Sequence, residues 1–131
     1  MIRILLVDDQ AIVRQGWAMR FALEPDIVIV GEAGDGREAV ALAGALQPDV
    51  VLMDVEMPVM DGITALKELR GLPLAAVVMS IHDNAEVRER ARQAGARAFI
   101  GKQEPFEALL AAVRSIRASG RSGQENEPAL Q

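Results

Sequence analysis

Four short apolar runs in this chain each stop on a polar residue. Ile4-Leu5-Leu6-Val7 stops at Asp8-Asp9, and Val50-Val51-Leu52-Met53 stops at Asp54. Ala75-Ala76-Val77-Val78-Met79 stops at Ser80, and Ala98-Phe99-Ile100-Gly101 stops at Lys102. Runs this short, rich in β-branched residues and separated by helical patterns, read as buried parallel strands. Strands are expected over 2–7, 27–32, 50–54, 75–80 and 97–101. Helices are expected over 10–23, 36–46, 62–71, 84–94 and 104–118. Strict alternation implies right-handed crossovers and a parallel sheet covered on both faces. The expected fold is doubly wound α/β, because 131 residues are too few for an eight-unit barrel.

Side-chain periodicity supports the helices. Val13, Trp17 and Phe21 share one face of the first, and Phe106, Leu109, Leu110, Val113 and Ile116 one face of the last. Pro105 suits the first turn of the last helix, with Glu104 near its N-terminus. Gly71 and Gly95 stand where helices should stop. Residues 1–118 form the expected domain. From Ser119 the chain turns polar and loses periodicity. Residues 119–131 read as a flexible tail or the start of a linker.

Composition narrows the function. No apolar run approaches the roughly 18 residues of a membrane span, and Asp8-Asp9 interrupts the start too early for a signal peptide. There is no cysteine, so thiolate chemistry is excluded. A soluble, cytoplasmic protein with no membrane partner is expected. The formal net charge of −5 argues against direct binding of nucleic acid, and also suits plain solubility.

Ligands of an open parallel sheet bind beyond the carboxyl ends of its strands. Asp8, Asp9, Asp54, Ser80 and Lys102 should therefore meet at one edge. Three adjacent carboxylates repel one another. A hard divalent cation such as Mg²⁺ relieves that cost while keeping several waters. The plainer reading is that Asp8, Asp9 or Gln10 caps the first helix. Asp54, exposed to ligands at a strand-to-loop junction, could serve as a nucleophile towards a phosphoryl group. Met57-Pro58 should turn the chain and Asp61-Gly62 should precede the next helix. Lys102 offers a compact positive charge and Ser80 a hydroxyl donor. His82 reads as a loop residue or, with Glu56, as a rim position that influences a hydrolytic water. Arg88, Arg90 and Arg92 read as a solvated helix face, and the six methionines as core and turn packing.

These residues resemble the receiver domain of two-component response regulators. The likeness rests on Leu5-Leu6-Val7-Asp8-Asp9, on Asp54-Val55-Glu56-Met57-Pro58-Val59-Met60-Asp61-Gly62, on Ser80, on Ala94-Gly95-Ala96-Arg97-Ala98-Phe99 and on Lys102. Leu23-Glu24-Pro25-Asp26-Ile27 and Gly31-Glu32-Ala33-Gly34-Asp35-Gly36 resemble the NarL/FixJ subgroup, which joins a receiver to a LuxR-type DNA-binding domain. The resemblance implies a flavodoxin-like (βα)5 fold with a five-stranded parallel sheet. It implies that Asp54 accepts a phosphoryl group from a sensor histidine kinase. Asp8, Asp9, Asp54 and the main-chain carbonyl of Glu56 would hold Mg²⁺. Ser80 and Lys102 would meet the phosphoryl group, and the rotamer of Phe99 would follow Ser80. Partners so implied are the kinase, a second copy on phosphorylation, and DNA only through a C-terminal domain outside this chain. The protein would be no enzyme beyond phosphotransfer to itself and its reversal.

Two positions depart from the family. Many receivers carry proline, through a cis bond, after the site lysine; here Gln103 follows. A non-proline cis bond costs roughly 2.5–4 kcal/mol, so a trans bond is expected. Phe99 often stands as Tyr in relatives. The alternatives are a stand-alone receiver acting through protein contacts, a degenerate receiver and a metal-dependent phosphatase. A phosphatase of the haloacid dehalogenase type would want Asp where Glu56 stands.

Overall fold

The computed structural model describes residues 1–57 and 60–116. The Pro58 part of the expected turn, the end of the last helix and the 119–131 tail lie outside the described residues.

Strands β1 (Ile2–Val7), β2 (Ile27–Ala33), β3 (Val50–Asp54), β4 (Ala75–Ser80) and β5 (Ala98–Gly101) alternate with helices. The helices are α1 (Ala11–Phe21), α2 (Gly36–Leu46), α3 (Gly62–Leu69), α4 (Ala85–Ala94) and α5, whose described part covers 106–116. All pairings are parallel and the strand order is β2-β1-β3-β4-β5. Strand order reverses between β1 and β3. Those two strands end in Asp8-Asp9 and Asp54, so the acidic residues fall at the switch point of the sheet.

Alternation along the strands builds two cores. Leu5, Val7, Val51, Met53, Ala76 and Val78 face α2, α3 and α4. Ile4, Leu6, Val50, Leu52 and Val77 face the other way, against Phe21 of α1 and Leu109, Val113 and Ile116 of α5. Every residue of β3 and β4 is buried, as a central strand covered on both faces requires. The Phe21 and Phe106 rings meet edge to face at 4.8 Å, locking α5 onto α1.

Several boundaries differ from expectation. α1 ends at Phe21, before Leu23. α3 stops at Leu69 because Arg70 is extended (φ −57°, ψ 140°), and Gly71 completes the turn at φ +90°. Pro105 lies just ahead of α5 rather than in its first turn. The methionines divide: Met53, Met57 and Met79 are buried, whereas Met1 and Met19 are more than 70% exposed, so core packing explains only some of them. Gln47 ends α2 in the left-handed region at φ 52°, with no glycine to announce it.

Candidate functional site

Strand register assembles the site. Asp54 pairs with Met79, Met79 with Ile100 and Ser80 with Gly101, so Ser80 lies one step and Lys102 two steps beyond the level of Asp54. Backbone bonds extend the ladder past the strands: Val55 N–H donates to the Met79 carbonyl at 2.9 Å, and Lys102 N–H to the Ser80 carbonyl at 2.9 Å. On the other side, Asp8 N–H donates to the Ala33 carbonyl at 3.1 Å.

The loop after Asp54 folds back on its own strand. Gly62 N–H donates to the Val55 carbonyl at 3.0 Å. A Cβ at position 62 would stand 2.5 Å from the Asp54 carbonyl oxygen, so only glycine allows this approach. Asp61 then caps α3, accepting from Thr64 N–H at 2.8 Å.

Asp8, Asp9 and Asp54 meet as expected. One carboxylate oxygen from each lies within 4.8 Å of the others, with Asp8 and Asp54 buried and Asp9 exposed. Capping does not account for them. Gln10 is the cap position of α1 and makes no side-chain capping bond, while Asp8 Oδ1 accepts from Gln10 N–H at 2.8 Å outside the helix. An all-oxygen donor set with one open, exposed member suits a hard divalent cation that keeps its waters.

Lys102 is the cation of the site. Its Nζ donates to Asp54 Oδ2 at 3.0 Å and to Asp8 Oδ2 at 3.2 Å. Asp54 Oδ1 accepts from Glu56 N–H at 3.1 Å, which fixes the carboxylate plane. Burial is the main force on Asp54 and raises its pKa to about 6; Lys102 pulls against it and Asp8 adds to it. Burial also works against the Lys102 ammonium, but its bond and charge attraction to Asp54, then Asp8, prevail and hold its pKa above the ordinary value. The two shifts agree physically, because Asp54 loses nearly all its water whereas Lys102 stays partly exposed.

Ser80 is fully buried. Its Oγ donates to Glu56 Oε2 at 2.6 Å and accepts from His82 N–H at 2.9 Å. His82 itself is exposed and borders, with Glu56, a groove of about 580 Å³. The Lys102–Gln103 bond is trans, since no described peptide bond is cis.

Three contacts were not foreseen from the sequence. Glu56 engages Ser80 through its carboxylate. Arg14 donates to the Asp8 carbonyl and, at 3.1 Å, to Glu32. Arg88 is not a merely solvated member of its helix. It forks onto Asp83 at 2.6 and 3.1 Å and lies over the Phe99 ring, 4.7 Å from its centroid. Asp83, held chiefly by Arg88, has its pKa lowered. Arg92 keeps a surface role, paired with Glu89.

The sequence profile of the response regulator receiver domain matches residues 4–114. The transcriptional regulatory protein UhpA of Salmonella typhimurium is 40% identical over 121 residues, covering 92% of this chain and 61% of that protein. The chain thus spans about three fifths of the length of this relative. The receiver domain of NarL from Mycobacterium tuberculosis superposes with a TM-score of 0.79 at 33% identity, covering 86% of this chain and 96% of that one. The response regulator domain of Thermotoga maritima CheB superposes at 0.84 with 35% identity, covering 90% and 97%.

Proposed function

The chain belongs to the response regulator receiver domain family, and from that premise we propose that Asp54 accepts a phosphoryl group from a sensor histidine kinase. The observation that carries this reading is the buried Asp54 carboxylate, gripped by Lys102 and by Glu56 N–H, within 4.8 Å of two more carboxylates. In the transfer, an Asp54 oxygen attacks phosphorus, the phosphorus–nitrogen bond of the phosphohistidine breaks, and the imidazole departs with the bonding electrons. Lys102 Nζ, already against Asp54 Oδ2, neutralises charge on the phosphoryl oxygens.

Asp8, Asp9 and Asp54 would hold Mg²⁺, with the Glu56 main-chain carbonyl as a fourth protein ligand. The ion would supply positive charge against both the acceptor carboxylate and the phosphoryl oxygens. Metal binding to the folded state alone raises stability by linkage. Ten millimolar Mg²⁺ should therefore raise the melting temperature at pH 7.5, and Asp9→Ala should lose the rise. Equal responses from the two proteins, followed by thermal melts, would place the ion elsewhere.

Residues 1–118 act as the phosphorylated domain, and residues beyond 118 lead to an output, here a LuxR-type DNA-binding domain controlling transcription. Among described residues no helix is long and apolar enough to cross a membrane. Phosphorylation adds charge and acceptor oxygens beside Ser80 and Lys102. Ser80 moves towards them, and Phe99, under Arg88, follows into the vacated space. The altered face of α4, β5 and α5 then sets self-association or docking of the output domain. Backbone amide NMR with beryllofluoride, a phosphoryl analogue, tests the switch. Shifts should extend through residues 84–110; changes confined to the loops around Asp54 would refute it.

A further inference from the structure

Ser80 has one hydroxyl proton, and the fold has already committed it. A serine hydroxyl offers a single donor. Here it goes to Glu56 Oε2 at 2.6 Å. The other carboxylate oxygen, Oε1, accepts from Ile81 N–H at 3.4 Å. One side chain on the loop after β3 therefore ties down the start of the loop after β4. A Ser80 that donates to Glu56 cannot donate at the same time to a phosphoryl oxygen on Asp54.

We propose that Glu56 is a latch: its carboxylate holds Ser80 in the resting position and must release it before Ser80 binds the phosphoryl group. The proposal rests on Asp54 being the phosphoacceptor. Charge-assisted O–H···O⁻ bonds are short and strong, and the 2.6 Å between Ser80 Oγ and Glu56 Oε2 lies in their range. Release thus needs a competitor with comparable acceptors, and a phosphoryl group brings three such oxygens. The freed carboxylate also has somewhere to go. Glu56 lines the groove of about 580 Å³ whose wall includes Arg90 and His82. Arg90 offers a positive charge there. Glu56 is therefore a positioning residue that opposes the switch. It sets how much of the binding energy of the phosphoryl group goes into moving Ser80.

Calorimetric titration of beryllofluoride at saturating Mg²⁺ tests the latch in wild type, Glu56→Ala, Glu56→Gln, Ser80→Ala and the Ser80→Ala/Glu56→Ala double variant. Each keeps the main-chain carbonyl at position 56. Glu56→Ala should bind about tenfold more tightly, the worth of one hydrogen bond to a charged group. Glu56→Gln, which keeps an acceptor without the charge, should fall between. In the Ser80→Ala background the Glu56→Ala gain should vanish, because the cycle isolates the pair. An equal gain in both backgrounds would mean that Glu56 acts only through its charge, and would overturn the latch. Unchanged affinity on Glu56→Ala would overturn it too. If wild type binds no beryllofluoride, the phosphoacceptor reading fails first and the latch with it.

Discussion

Replacing Lys102 with methionine should destabilise the metal-free protein by about 2–4 kcal/mol at pH 7.5. Methionine keeps the length of the stem, so the loss reports the charge. Removing one partner of a buried ion pair leaves an uncompensated charge, worth about 3–5 kcal/mol when burial is complete. Here Asp54 and Asp8 are buried but Lys102 is one-fifth exposed, which lowers the figure. The loss should depend on pH. Above about pH 6 Asp54 is ionised and needs its cation; below it the carboxyl is neutral and does not. Urea unfolding at pH 7.5 and pH 5 should show the difference shrinking on the acid side. Equal losses at the two pH values would assign the effect to Asp8 and packing and remove Asp54 from it.

Asp54→Asn should act in the opposite direction and stabilise the metal-free fold at pH 7.5. Folding raises the pKa of Asp54 from 3.8 to about 6, mainly through burial. The ionised group therefore opposes folding. That penalty is absent below about pH 4, grows between pH 4 and 6, and is complete above. At about 1.4 kcal/mol per pKa unit, the full penalty is on the order of 2–3 kcal/mol. A neutral amide of the same shape removes it. The gain should fade as pH drops towards 4, and Mg²⁺ should narrow it, since wild type alone regains compensation for its third carboxylate. A variant less stable than wild type at pH 7.5 would contradict this view of Asp54. The site thus resembles other functional sites in trading stability for reactivity.

Much of this arrangement was legible in the sequence, for a physical reason. A strand covered on both faces must be apolar, so the first polar residue marks where it leaves the sheet. That rule located Asp8, Asp54, Ser80 and Lys102, and parallel register then brought them together. The three carboxylates were expected to share a site, and their oxygens do so. Less legible was everything that depends on side-chain direction. Glu56 sits two residues past Asp54, and nothing local reveals that it crosses to Ser80. The two loops leave neighbouring strands, which is the only hint the order of residues offers. Arg88 shared a charged helix with Arg90 and Arg92, and only packing singles it out over Phe99. Gln47 shows the same limit in the backbone, since a left-handed residue that is not glycine carries no local mark.

The central claim is that Asp54 takes the phosphoryl group, and intact mass after incubation with acetyl phosphate and Mg²⁺ tests it most directly. Wild type should gain one phosphoryl adduct. Uptake should weaken on acidification as the Asp54 carboxylate takes up a proton, at a pH that Mg²⁺ shifts below the metal-free value. Asp54→Asn, folded and at least as stable, should gain none. The same adduct on Asp54→Asn, or none on wild type, would contradict the account.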